Sequence, residues 1–452
     1  GICVIEATDL YVRFLPASQQ EYDLLESLGL EMTDHPLDYR IVREGDYYRD
    51  PGIADDEITW QYCVVDKDFD FPQGIRHEII DRCYISEHDT KADPWGIDWD
   101  AVERESYRLT GNSDLIAENT KSGTGCPEGR ITILDKDYDD EPVGVAGVRV
   151  SCNSFVKFAN AYTDDEGYYK MTRSFSSNVR YRLVFRNVNG FGIGFNLILV
   201  PASVSSLGRH APEGFSTTID PSSERKLFSR CVVNNAGYDY FKACKEAKIK
   251  TPPSNFRLWL FQNLNISLPA LLQQGTLIDN SAVGEYLGVY AALLKIFLPD
   301  SFIALKGRNS YSEIYSEAIH QFAHGSHFMN VGTSFWDNLV KYDVLSFISS
   351  GRIYYGVGTE SGHEYCEMAE MWAYYMQTKV YRDRYPAEAR SFGNSFWFKP
   401  QIFTYLDERG VNRYKLFSAL APDVVDADML QARLTSLYPE CKTIIKQAFE
   451  RY

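Results

Sequence analysis

The sequence has no CxxC pair, no excess of basic charge and no apolar run approaching the ~18–20 residues of a membrane-spanning helix. Each absence removes a class of protein. The nine cysteines, at 3, 63, 83, 126, 152, 231, 244, 366 and 441, follow no regular spacing. That argues against a cysteine zinc site or a disulfide framework, and an odd count leaves at least one thiol unpaired within the chain. Acidic residues outnumber basic ones 62 to 46, for a net charge of −16, so phosphate backbones are repelled and nucleic acid is a poor partner. The most apolar stretch, "YLGVYAALLKIFLP" (286–299), carries Lys295 and reads as a buried helix with no membrane span. Residues 1–15 lack the basic start and apolar run of a signal peptide. Internal repeats, low-complexity tracts, P-loop, GxSxG and Cys-His nucleophile signatures are absent as well. "GFGIGF" (190–195) lacks the GxGxxG spacing and a βαβ setting, so its glycines read as strand glycines.

What is present is a folded, multidomain chain, 44% hydrophobic and 14% aromatic over 452 residues. The fold class is α+β, read as three segments. Residues 1–122 form an N-terminal α/β region without a catalytic constellation. "DLYVRFLP" (9–16) and "WQYCVV" (60–65) read as strands, and "SQQEYDLLESLGL" (18–30) as a helix started by serine. "DTKADPWGIDWD" (89–100) reads as turns, and "NTKSGTGCPEG" (119–129) as a linker. Residues 126–203 carry short alternating runs at 129–135, 147–152, 167–173 and 179–185, the spacing of a small antiparallel β-sandwich. Residues 204–452 look mainly helical, with helical spacing at 281–297, 311–329, 362–384 and 427–450.

Three of the eight histidines fall in "EAIHQFAHGSHF" (317–328). Ser310 and Glu313 form a capping-box pair that starts a helix just upstream. At 100° per residue, Glu313, Glu317, His320, His324 and His327 share one narrow face of a helix that is otherwise largely apolar. His320 and His324, four apart, project two imidazoles toward one point. His327 lies two turns from His320, about 10 Å along the axis, too far to join the same tetrahedron. It reads as a supporting residue, and Glu317 as a candidate orienting partner. A hydrolytic zinc needs a third protein ligand and an open position. The helix at "GHEYCEMAEMWAYYMQ" (362–377) can supply it, because His363, Glu367, Glu370, Tyr374 and Gln377 share a face there. From spacing alone the third ligand is Glu370 or Glu367. His363, at the start of that helix, is a candidate oxyanion stabiliser.

Two resemblances follow from these residues. Gly129-x-Ile131, "PVGVAGVRV" (142–150) and "AYTDDEGYY" (161–169) resemble the carboxypeptidase-regulatory-like (transthyretin-like) domain family over roughly 75 residues. In that family the turn here formed by Thr163, Asp164 and Gly167 joins two strands, and the domain is a structural or docking module. The histidine helix and "EMWAYY" resemble the gluzincin branch of the zincin metallopeptidases. That resemblance implies Zn²⁺ held by His320, His324 and Glu370, with Glu367 the alternate. The family motif is HExxH, and this chain departs from it at Gln321, the general-base position. An amide cannot take a proton from the attacking water, and losing a general base typically costs ~10²–10⁴-fold in rate. The domain order resembles that of exported lipoproteins of Bacteroidetes-type bacteria. The expectation is therefore an exported zinc peptidase, weakly active or inactive, in the periplasm or on the cell surface. It would meet a peptide or protein substrate and leaves room for a lipid anchor. The alternative is a non-catalytic surface protein that binds peptide or glycan on a zincin scaffold.

Overall fold

Turn chemistry and period-two patterning place most strands of the first 185 residues. In a computed structural model the chain is described at residues 4–39, 48, 50–54, 57–91, 96–116, 125–138, 141–194, 204–222, 224–277, 298–349 and 354–452. Its contacts group it into two units. One comprises Gly1–Thr132, Val143–Phe185 and Phe195–Ile219, the other Ile133–Pro142, Arg186–Gly194 and Asp220–Tyr452. The architecture is mixed α and β, with antiparallel sheets early and helices from 311 to 451.

In the first unit, β1 (Asp9–Leu15) alternates buried and half-buried residues, as a strand with one covered face must. Ser18 caps α1 (Gln19–Ser27), its side chain accepting from the Glu21 amide. β2 (Gln61–Asp66) and β3 (Arg76–Cys83) flank β1 in an antiparallel sheet. Leu10, Val12 and Phe14 of β1 join Leu25, Cys63, Val65 and Ile75 in its core. Asp98 caps a helix, α2 (Trp99–Leu109), that begins within a stretch whose composition reads as turns.

The strands β4 (Glu128–Ile133), β5 (Val143–Gly144), β6 (Arg149–Ser154), β7 (Lys157–Tyr162), β8 (Tyr168–Lys170) and β9 (Val179–Val184) follow. β10 (Gly192–Gly194) belongs to the second unit, and β11 (Val204–His210) and β12 (Thr217–Ile219) to the first. They form two four-stranded sheets, ordered β11-β9-β6-β7 and β12-β4-β5, with β8 on β4. Two of these strands, β11 and β12, lie in a stretch that the sequence presents as mainly helical. The β7–β8 turn is built by Asp164, whose Oδ1 accepts from the Glu166 and Tyr168 amides at 2.9 Å each. Gly167 closes it at φ +85°, where an added Cβ would meet the Ile131 carbonyl oxygen at 2.1 Å. Gly167→Ala is therefore expected to destabilise this unit by about 2–3 kcal/mol. A urea midpoint that does not move would contradict it.

In the second unit, β10, β13 (Arg257–Phe261) and β14 (Ser301–Ala304) make a parallel sheet, with Leu268 bridging Phe302 antiparallel at its edge. The 190–195 glycines thus serve a turn and a strand. Helix α3 (Arg225–Ala247) is followed by α4 (Tyr311–Ser349) and α5 (His363–Arg384). Phe322 of α4 packs on Phe191, Phe241 and Phe256, seating the helix on the sheet side. α4 and α5 run antiparallel: Arg384 lies over Tyr311, Gln377 meets His320, and Tyr365 packs on Phe335. The helical spacing at 427–450 resolves into α8 (Ala427–Leu437) and α9 (Lys442–Arg451), after the short α6 (Gln401–Asp407) and α7 (Arg413–Ser418).

The spacing at 311–329 predicts a helix of that length, and α4 continues to Ser349 through a break at Gly332 (φ +77°, ψ −176°). An added Cβ at Gly332 meets nothing within 4 Å, so glycine is required by the backbone and not by space. The stretches 281–297 and most of 286–299, expected as a buried helix, lie outside the described residues. Among the described residues no helix is long and apolar enough to cross a membrane, and the eight described cysteines are all free thiols.

Candidate metal centre

The histidine helix starts as its capping box dictates. The Glu313 amide donates to Ser310 Oγ (3.3 Å), and Glu313 Oε2 accepts from the Asn309 and Ser310 amides (2.9 and 3.1 Å). Two turns on, the polar stripes of α4 and α5 meet. His320 Nε2 and His324 Nε2 lie 3.1 Å apart. Glu370 Oε2 is 3.0 Å from His320 Nε2, and Oε1 is 3.2 Å from His324 Nε2. All three residues are buried.

This buried group could hold a metal ion. Its dimensions fit one: bonds of 2.0–2.1 Å in tetrahedral geometry set ligand–ligand edges of about 3.3 Å. Hydrogen bonding accounts for only part of the cluster, the pair of Nε2 atoms. Glu370 Oε2 forms an ion pair with His320 Nε2, and neither it nor His324 Nδ1 has a further hydrogen-bond partner among the described residues. Gln377 presents its amide oxygen to His320 Nδ1 at 3.0 Å, which assigns the ring hydrogen to Nδ1 and leaves Nε2 a bare lone pair. Tyr374 packs its ring against His320 with centroids 4.4 Å apart.

The electrostatics are mutual. Burial raises the Glu370 carboxyl, but His324 and His320 beside it win and hold it well below the usual carboxylate range. Burial lowers His320, but the Glu370 carboxylate outweighs it and raises the ring. For His324 burial prevails over Glu370, and the ring is pushed down.

The other expected site residues fall elsewhere. Glu367 accepts from the Ala427 amide at 3.2 Å and is not in the group. His363 is half-buried; its Nδ1 meets the Glu360 carbonyl at 2.8 Å and its ring packs on Trp397. Gln321 is buried, and its Oε1 accepts from Ser301 Oγ of β14 at 2.8 Å. Glu317 pairs with Arg308 at 3.1 Å and accepts from the Ser267 hydroxyl, and its negative charge acts on His320. His327 packs on Phe335 and Trp336, and burial pushes it down to about 3. Its two ring nitrogens find no partner among the described residues.

Sequence reasoning passed over Gln377, although it lay on the α5 stripe, and Asp343, which no spacing ties to the histidines. Asp343 lines a cleft with Glu370, Ser267, Leu268, Tyr354 and Tyr355. Comparison with protein-family models, curated proteins and solved structures returns no match.

Proposed function

We propose that the chain is a zinc-dependent hydrolase of peptide bonds, exported, with His320, His324 and Glu370 as the metal ligands. The observation that carries this reading is the buried triangle of two Nε2 atoms and a carboxylate, with edges of 3.0–3.2 Å and one oxygen without a further hydrogen-bond partner among the described residues. Two imidazoles and one carboxylate are the donor set of hydrolytic zinc, which leaves a fourth position for water or substrate. Bound zinc would polarise a carbonyl and favour ionisation of water there. The chain's own part is to fix the ligands. Gln377 orients His320, the Tyr374 ring packs against it edge-on, and Trp336 packs against His324.

The position after the first histidine supports a second reading. Gln321 can neither take a proton nor turn freely, because its carbonyl oxygen is held by Ser301. On that reading the same scaffold holds zinc and binds peptide or glycan without cleaving it.

Elemental analysis after incubation with zinc, followed by dialysis, is expected to give about one zinc per chain. A broad peptide library should then be cleaved, and chelation should stop the cleavage. A chain that retains no zinc excludes the hydrolase, and a zinc-loaded chain that cleaves nothing leaves the binding reading.

A further inference from the structure

The proposed hydrolase lacks a glutamate at position 321, yet a second carboxylate lines one cleft with its ligand Glu370. Asp343 lies on α4 beyond the Gly332 break. The residue is partly exposed, but its Oδ1 is out of solvent and has no hydrogen-bond partner among the described residues. Glu370 Oε2, of a residue lining the same cleft, has none beyond its ion pair. Between such walls the cleft offers about 20 Å³, room for about one water. Asp343 is not one of the three residues whose donor atoms close on one another within 4.8 Å.

We infer that Asp343 is the carboxylate that holds the attacking water and takes its proton, in place of the glutamate missing at position 321. The inference rests on the hydrolase reading above. Asp343 Oδ1 accepts one proton from the water as the remaining hydroxide forms the C–O bond to the peptide carbonyl carbon. The C–N bond then breaks, and Asp343 passes the proton to the departing nitrogen. The products are a carboxylic acid and an amine, and Asp343 regains its starting charge. The amide of Gln321 takes no part in these transfers.

Asp343→Asn tests this, since it keeps shape and removes the base. Zinc content should match wild type, because no ligand is touched. The melting temperature should stay near wild type, because the amide keeps the shape of the carboxyl at a partly exposed position. kcat should drop by about 10²–10⁴-fold with little change in KM, and the acid limb of the kcat/KM profile should vanish. A crystal structure of the zinc-loaded wild type should show a water within hydrogen-bonding distance of Asp343 Oδ1. Undiminished kcat in Asp343→Asn overturns the assignment while the hydrolase stands. Loss of zinc in that variant makes Asp343 a ligand and overturns it equally, as does a zinc-loaded structure with no water on Oδ1. Failure of the wild type to bind zinc overturns both readings together.

Discussion

His320→Ala is expected to leave the purified chain without stoichiometric metal. The variant removes one of three donor atoms from the buried triangle and leaves Glu370 and His324, which cannot close a site alone. Gln377→Ala is a graded control. It removes only the acceptor on His320 Nδ1, at 3.0 Å, and loss of such an orienting partner typically weakens metal binding about 10–100-fold. His320→Ala must exceed that, while Glu367→Ala, whose carboxylate caps the Ala427 amide, should leave affinity within a few-fold. Competition against a chromophoric chelator ranks all three, and equal affinities across the series would refute the ligand assignment.

The pH dependence of the same measurement has a definite sign. A metal ion competes with the proton on each ligand. Glu370 is held low and His324 is pushed down, so neither proton competes near neutrality. His320 is raised, so its proton does. Apparent affinity should therefore climb about tenfold per pH unit up to the raised His320 value and level off above it. In the metal-free chain the linkage has two sides. The raised His320 stabilises the fold at low pH, and that part is lost as pH rises through its folded value. The depressed Glu370 stabilises it above the ordinary carboxylate range, and that part is lost as pH falls through its folded value.

Asp135→Ala should cost the second unit about 3 kcal/mol, the low end of the range for breaking a buried ion pair, because Arg384 keeps some solvent contact. Asp135 is 1% exposed. Its Oδ2 accepts from Arg384 Nη2 at 2.9 Å and from the Tyr385 hydroxyl at 2.6 Å. The guanidinium lies 4.4 Å from the Tyr311 ring centroid, so Arg384, held by Asp135, links the end of α5 to the start of α4. Without it the guanidinium stays pressed among three tyrosine rings with no counter-charge. The chemical denaturation midpoint should fall at unchanged slope. Arg384→Ala should cost a similar amount, and the double variant less than the sum.

Much of this was legible in the sequence. Strands at 9–16 and 60–65, the Ser18-capped helix and the two striped helices all follow from period and caps, while the Thr163–Gly167 turn follows from the domain resemblance. Elements whose burial breaks those periods were not. β3 is exposed along most of its length, so no alternation marks it. α3 buries residues all round, from Leu227 through Cys244, and offers no apolar stripe. The site divides the same way. His320 and His324 announce themselves because helical spacing puts them on one face, while spacing on the second striped helix leaves the third ligand between Glu370 and Glu367. Asp343 belongs to no motif, and its place depends on a backbone break and on packing that spacing does not encode.

That break has a consequence for distance. Asp343 follows His324 by 343 − 324 = 19 residues. On an unbroken helix that is about 28 Å of travel and about 100° of rotation off the histidine face. Yet Asp343 lines a cleft with Glu370, whose Oε1 is 3.2 Å from His324. Gly332 thus converts length along the chain into a return path. A single residue that needs no side-chain space lets both arms of α4 reach Glu370, one through His324 and the other through the shared cleft.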